Sequence, residues 1–425
     1  MKHQRLLSID FLRGIAIIVL IIIHRMHYHW EGMNSHESMK EQMTGPLLPI
    51  LIFLIVLLSM AGLFYFLTGI VNAYSVQGRI VNGKIRWQKA VCFGMAGGLW
   101  LVVLNYIQRL FFMNGFFGGD QGIAPQYPVG YLTGLIRDAG QVRFYWQQVT
   151  EPGTLSLIGL LVIIVSILTG WLLHYRNRIN LHQMHGVLII LAMAALVASV
   201  YVKLYVTPLY EAHFADGNYL KAALLGHVCQ DFSLFPYLGY AIIGMAVGLS
   251  LAFGEKKKVF FRKSTLTALG LMGSGILIYL VFDKDKFGGR GTLGAMASLV
   301  ELGFFVLFLL ILLKAFDYTK SNKQQKRKLN TRWIRRFGML SLTVFILEPV
   351  LAEGVKKGVD LLAGNSWSNQ FLPVLLFSGF CLFLWHLILK LWQKIGFVGS
   401  LEWLTAWVLL KLTRKKSGKV NFGEL

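Results

Sequence analysis

An all-α, polytopic integral membrane bundle is the fold class predicted, on three observations. The 425 residues are 55% hydrophobic and only 15% charged, with a positive mean hydropathy of +0.58; this is a membrane composition. Apolar runs of about twenty residues recur, each long enough to cross about 30 Å of hydrocarbon as a helix. Lys and Arg gather in the connections on one side of those runs, as the positive-inside rule expects. The net charge of +22 therefore reads as topology, and nucleic acid is not an expected partner.

Hydropathy places about ten spans, with an eleventh possible, at roughly 8–29, 47–74, 90–112, 153–175, 186–208, 233–253, 265–283, 292–315, 337–355 and 371–394. The connections on the side of the N-terminus carry more than twice as many Lys and Arg as the opposite ones. Both termini are thus expected in the cytoplasm. Residues 1–394 form one expected transmembrane domain, and 395–425 a cytoplasmic tail. After Gly399 the tail has about a dozen mostly apolar residues, too few to cross, so a short interfacial amphipathic helix is predicted there. No small-residue cleavage site follows the first apolar run, which is read as retained. Cys92, Cys229 and Cys381 lie far apart with no CxxC or Cys/His ligand spacing, so neither a disulfide framework nor a metal site is expected.

The first span, SIDFLRGIAIIVLIIIHRMHYHW, holds an aspartate, an arginine and a histidine. A charge at mid-bilayer costs about 2.5–3.5 kcal/mol on insertion scales, so these residues need partners or a task. Arg13 and His24 are separated by eleven positions, which on a helix is three turns plus about 20°. They share a face, about 16 Å apart along the axis. Asp10 lies near the same stripe and can pair with Arg13 at i+3. His27 and His29 fall on different sides of the helix, at its outer boundary, and do not complete a metal site with His24.

Further along, small residues Ala61, Gly62 and Gly69 permit close helix approach in the second span, beside Tyr65, Thr68 and Asn72. Span three carries Asn105, Gln108 and Arg109 at i, i+3 and i+4. Arg109 either snorkels to the outer headgroups or faces the bundle and contacts the acceptor or reacting groups. The external segment 113–152 is long and rich in aromatics and Gly, a partly ordered lid whose Asp120, Arg137, Asp138 and Arg143 are either solvated or bind a polar acceptor. A second external segment contains Glu211, His213, Asp216, His227 and Asp231, in no recognised ligand spacing. Pro236 with Gly239 and Gly244 makes a closely packed entry to span six. The basic inner connections suit topology and anionic lipid, and some of their side chains could neutralise a phosphorylated cofactor. No GxxxxGK[ST] or GxGxxG loop occurs. Span nine has Ser341, Thr343 and an intramembrane Glu348, a site candidate by its location, with Arg25 or Arg109 as its partner.

The run DFLRGIAIIVLIIIH resembles the first-helix signature of the transmembrane acyltransferase superfamily, which includes acyltransferase family 3 and the bacterial relatives of heparan-α-glucosaminide N-acetyltransferase. FYFLTGIVNAY, EPGTLSLIGL, DFSLFPYLGY, FGMLSLTVFILEP and the tail run SLEWL are similar to later segments of those families, in order along most of the chain. The resemblance implies a multi-pass protein of a bacterial plasma membrane with cytosolic acetyl-CoA as donor co-substrate and no metal. It implies Arg13 and His24 as the functional pair; their depths along the helix, about 7 and about 24 Å, place Arg13, held by Asp10, near the donor's polar head and His24 near the thioester. The implied acceptor is a glycan or another hydroxyl or amine at the outer face, O- or N-acetylated. Asn105, Arg109, Ser341 and Glu348 are the supporting candidates.

A histidine there suits a general base, its unperturbed pKa being about 6.5; it equally suits an acyl-accepting nucleophile. A transporter or lipid-handling protein that uses Asp10, Arg13 and His24 as a polar pathway is the alternative. A non-catalytic scaffold leaves the stripe unexplained. Small-residue helix faces are compatible with a homodimer.

Overall fold

The first helix, α1 (Leu7–His29), starts where the Asp317 carboxylate accepts the backbone N–H groups of Leu7 and Ser8 at 2.9 and 3.1 Å. A remote acid thus serves as its cap, satisfying two donors that a helix start leaves unpaired. The computed structural model describes residues 6–30, 61–81, 85–114, 129–137, 144, 146–176, 178–230, 232–281 and 288–412. Among them every regular element is a helix. Eight helices are long and apolar enough to cross a membrane, or nine if one bent pair counts as a single span. The chain is a multi-pass membrane protein. The span expected at 47–74 lies partly outside the described residues, and its described part continues to Val81.

The residues group into two compact units, one of Met1–Ile9, Ala61–Asn105 and Val149–Gln324, the other of Asp10–Met60, Tyr106–Gln148 and Gln325–Leu425. In the first unit, α2 (Ala61–Val81), α3 (Trp87–Ile107), which runs to Asn105 there, α5 (Thr154–His174), α6 (Leu181–Ala215), α7 (Tyr219–Cys229), α8 (Leu234–Phe253), α9 (Lys257–Val281) and α10 (Gly288–Phe316) pack as a bundle. Its tightest contact is α2 on α8. Gly69 sits against the Ala241 carbonyl, Gly244 against the Phe66 carbonyl and Gly248 beside Ile70, so the backbones meet where no side chain intervenes. Asn72 Nδ2 donates to the Val162 carbonyl and to Ser166 Oγ, both at 2.8 Å, joining α2 to α5. Gly244→Leu is expected to force α2 and α8 apart at a cost of about 1–3 kcal/mol. Thermal unfolding in detergent checks this, and an unchanged midpoint would contradict the close contact.

The second unit contains the rest of α1, α4 (Tyr131–Arg137), α11 (Ser321–Asn330) from Gln325 onward, α12 (Arg332–Met339), α13 (Ser341–Ala363), α14 (Phe371–Trp392) and α15 (Leu401–Leu412). The ninth span, expected as one helix over 337–355, is instead two helices meeting at 87° at Leu340. The basic, amphipathic α12 turns away there and lets Ser341 open a fresh helix. Two glycines seat α12 on α1: Gly14 lies against the Ile334 carbonyl and Gly338 against that of Asp10. α6 also outruns its expected length, with 35 residues.

Candidate functional site

α1 and α13 lie side by side in the second unit. At the N-terminal end of their contact Arg13 Nη2 donates to Ser341 Oγ at 2.5 Å. Ser341 is fixed by its neighbours: Glu402 Oε1, from α15, accepts the backbone N–H groups of Leu342 and Thr343 at 2.6 and 3.3 Å. Thr343 Oγ1 donates to Glu402 Oε2 and accepts from the Leu401 N–H at 2.8 Å. A carboxylate from the tail thus occupies the position of a helix N-cap. Desolvation against α13 pushes the Glu402 carboxyl up from its ordinary range, against the hydrogen bonds from Thr343 and Leu342. Glu402→Ala is expected to lower stability by about 0.5–2 kcal/mol, the cost of a lost cap, seen as a lower unfolding midpoint; no change would mean α13 starts without it.

Three turns along α1, His24 is 28% exposed, and its Nδ1 stands 3.6 Å from Glu348 Oε2. That is ion-pair distance and longer than a hydrogen bond. Tyr28 and Phe345 flank the ring, with centroids at 5.6 and 6.3 Å. Glu348 itself is held by Arg25, whose side chain is fully buried. Arg25 Nε is 2.7 Å from Oε1 and Nη2 donates to Oε2 at 2.9 Å. With its amide oxygen turned toward the guanidinium, Asn114 accepts from the Arg25 terminal nitrogens at 3.1 and 2.8 Å. The carboxylate is neutralised by one cation and presents its second face to a half-open imidazole.

A second cluster lies one turn further along both helices. His29 Nε2 is 3.1 Å from Glu353 Oε1, and Arg137 from α4 donates to both oxygens of that carboxylate. Arg25 Nη1 lies 3.4 Å from the His29 ring nitrogens and links the two clusters. Fully compensated charges of this kind hold their geometry because losing any one partner leaves another stranded in low dielectric.

Arg109 sits in a short π turn, Gln108–Phe112, at 4% exposure, with its Nε donating to the Gln148 carbonyl at 2.9 Å. It is buried within the second unit rather than extended along the surface. Gln148 in turn donates to the Val129 carbonyl at 3.1 Å, so the arginine ties together the two described ends of the external segment. Asn105 belongs to the first unit, buried against Gly153, and neither of its amide atoms has a hydrogen-bond partner among the described residues. Asp10 is buried where its carbonyl meets Gly338.

The structure therefore brings His24 to Glu348 and Arg13 to Ser341, and of the two partners expected for Glu348 it supplies Arg25. Two residues are held more tightly than expected. His29, at the very end of α1, is not open to the surroundings: pairing with Glu353 lets it bury. Arg137 is neither simply solvated nor open to an acceptor, because Glu353 holds it. Asp120, Asp138, Arg143 and Asp231 lie outside the described residues. Glu353, Asn114 and Glu402 were not singled out from sequence. A signal existed for the first: EPVLAE carries two carboxylates five positions apart at the end of an apolar run, facing the i, i+4 pair Arg25 and His29. Among the described residues no group of three or more His, Cys, Asp or Glu could hold a metal. In comparison with known proteins, the chain matches no family model, no curated protein and no solved structure.

Proposed function

We propose that the protein is a membrane-embedded acyltransferase that moves an acetyl group from cytosolic acetyl-CoA to a sugar hydroxyl or amine at the extracytoplasmic face. The observation that carries this reading is the half-open His24 backed by a buried, Arg-neutralised Glu348, with Arg13 eleven positions away on the same helix. The resemblance of the first-helix signature supplies the donor and the reaction type; the geometry supports a histidine held for proton transfer.

His24 Nε2 takes the acceptor's O–H or N–H proton while the acceptor atom attacks the thioester carbonyl carbon. A C–O or C–N bond forms, the tetrahedral intermediate collapses, the C–S bond breaks, and the imidazolium returns its proton to the departing thiolate. Glu348 lies on the Nδ1 side of His24, so it favours the tautomer with Nε2 free to accept and stabilises the imidazolium once formed. Arg13, anchored at Ser341 about 16 Å along the helix, is placed to meet the polar part of a long, thin donor. Under the nucleophilic variant, His24 carries the acetyl group itself between two such transfers.

A second reading, a transporter with a proton or solute pathway, is favoured by one observation: the linked buried groups Arg25, Glu348, His29 and Glu353 form a continuous polar chain. The test uses purified protein with acetyl-CoA and a panel of sugars and amines, following free thiol. Acyl transfer gives acceptor-dependent thiol release. Solute flux into loaded vesicles without thiol release would replace it by transport.

A further inference from the structure

The charge of the basic connection before α13 is concentrated. On α12, Arg332 and Arg336 are one turn apart and within electrostatic range of each other, so they share a face of that helix. α12 packs against α14, which carries His386 and Lys390, also one turn apart. The His386 ring lies 6.3 Å from that of Trp333 and within electrostatic range of both Arg336 and Lys390. Three cations and an imidazole from two helices of one unit thus converge.

Like charges brought together repel, and a cluster of this kind is ordinarily laced with carboxylates. Here no ion pair among the described residues reaches Arg332, Arg336 or Lys390; Glu348, Glu353, Glu255 and Asp360 pair with other cations. Arg336 Nε donates to the neutral Gln393 Oε1 at 2.7 Å, which fixes its guanidinium plane without neutralising it. Arg332 Nε is buried and has no hydrogen-bond partner among the described residues.

We infer that Arg332, Arg336, His386 and Lys390 form a binding site for a phosphate ester, on the side that the basic connections assign to the cytoplasm. Paired guanidinium forks fit phosphate oxygens, and the lysine adds a point charge. The site lies on the helix whose Gly338 is seated at Asp10 and which ends where Ser341 meets Arg13. On the acyl-transfer reading, on which this assignment of the ligand rests, the phosphates are those of the donor's nucleotide end, and the thioester arm runs past Arg13 toward His24. The same chemistry would take the phosphate of an anionic lipid headgroup.

The test uses full-length protein in nanodiscs and the double variant Arg336→Gln/Lys390→Gln, whose side chains are half-buried and exposed; its unfolding midpoint controls for folding. In discs of zwitterionic lipid, calorimetry with adenosine bisphosphate, the nucleotide end of coenzyme A, is expected to show salt-sensitive binding that weakens about tenfold for each cation removed. Retention of phosphatidylglycerol that is lost in the variant, with no nucleotide binding, would assign the same site to lipid. Neither ligand bound by wild type, or both bound equally by the variant, overturns the site. Nucleotide binding without any acetyl transfer leaves the site and removes the acyl-transfer reading. Transfer with an unchanged KM for acetyl-CoA in the double variant leaves that reading and removes this assignment.

Discussion

His24→Ala is expected to cut acetyl transfer by about 10² to 10⁴, the usual contribution of a positioned general acid or base, while the protein still inserts and folds. The structural reason is the asymmetry of its contacts. His24 is partly open and touches Glu348 only at 3.6 Å, so removing it breaks no buried hydrogen bond, and Arg25 continues to neutralise the carboxylate. Initial rates of thiol release and the unfolding midpoint, measured on one preparation, separate the two effects. A rate within twofold of wild type would remove His24 from the chemistry; a collapsed midpoint would make it a packing residue.

Glu348→Leu is expected to have the largest effect on stability. It strands a fully buried Arg25, whose guanidinium is then left with Asn114 and His29, and breaking one side of a buried pair costs about 3–5 kcal/mol. Loss of monodisperse protein in detergent and a large drop in midpoint are the signs. Removing both charges, as Arg25→Met/Glu348→Leu, is expected to recover most of that stability, because a well-packed apolar pair often replaces a buried ion pair without penalty. The double variant also separates two roles of Glu348. If it only balances Arg25, the recovered protein transfers acetyl at the wild-type rate; if it also orients His24, the rate stays depressed although the fold is restored. The depressed rate is the expected result.

Much of the fold was legible because hydrocarbon imposes its own length and polarity on a helix, and runs such as 371–394 or 233–253 satisfy that demand visibly. The stripe from Arg13 to His24 was legible too, since it follows from the helical period alone. What periodicity cannot carry is pairing across the chain. Arg25 and Glu348 are 323 positions apart, and nothing local to either distinguishes one apolar-span carboxylate partner from another. Hydropathy also saw 337–355 as one run, because the stretch is apolar on average across Leu340; at the bend Gly338 seats on Asp10 and Glu402 caps the new helix from the tail, contacts made by distant parts of the chain. The burial of His29 was hidden for a similar reason: it is made possible by Glu353, on another helix. Arg109 was ambiguous between headgroup and interior until the π turn and the Gln148 carbonyl placed it.

The most direct measurement places labelled acetyl-CoA on the basic-connection side of sealed vesicles and follows the label and free CoA for wild type and His24→Ala. CoA is expected to be released on the side of addition and acetyl label to become covalently attached to an acceptor on the far side, both dependent on His24. Label crossing as unaltered donor, or CoA release that persists in His24→Ala, would contradict it.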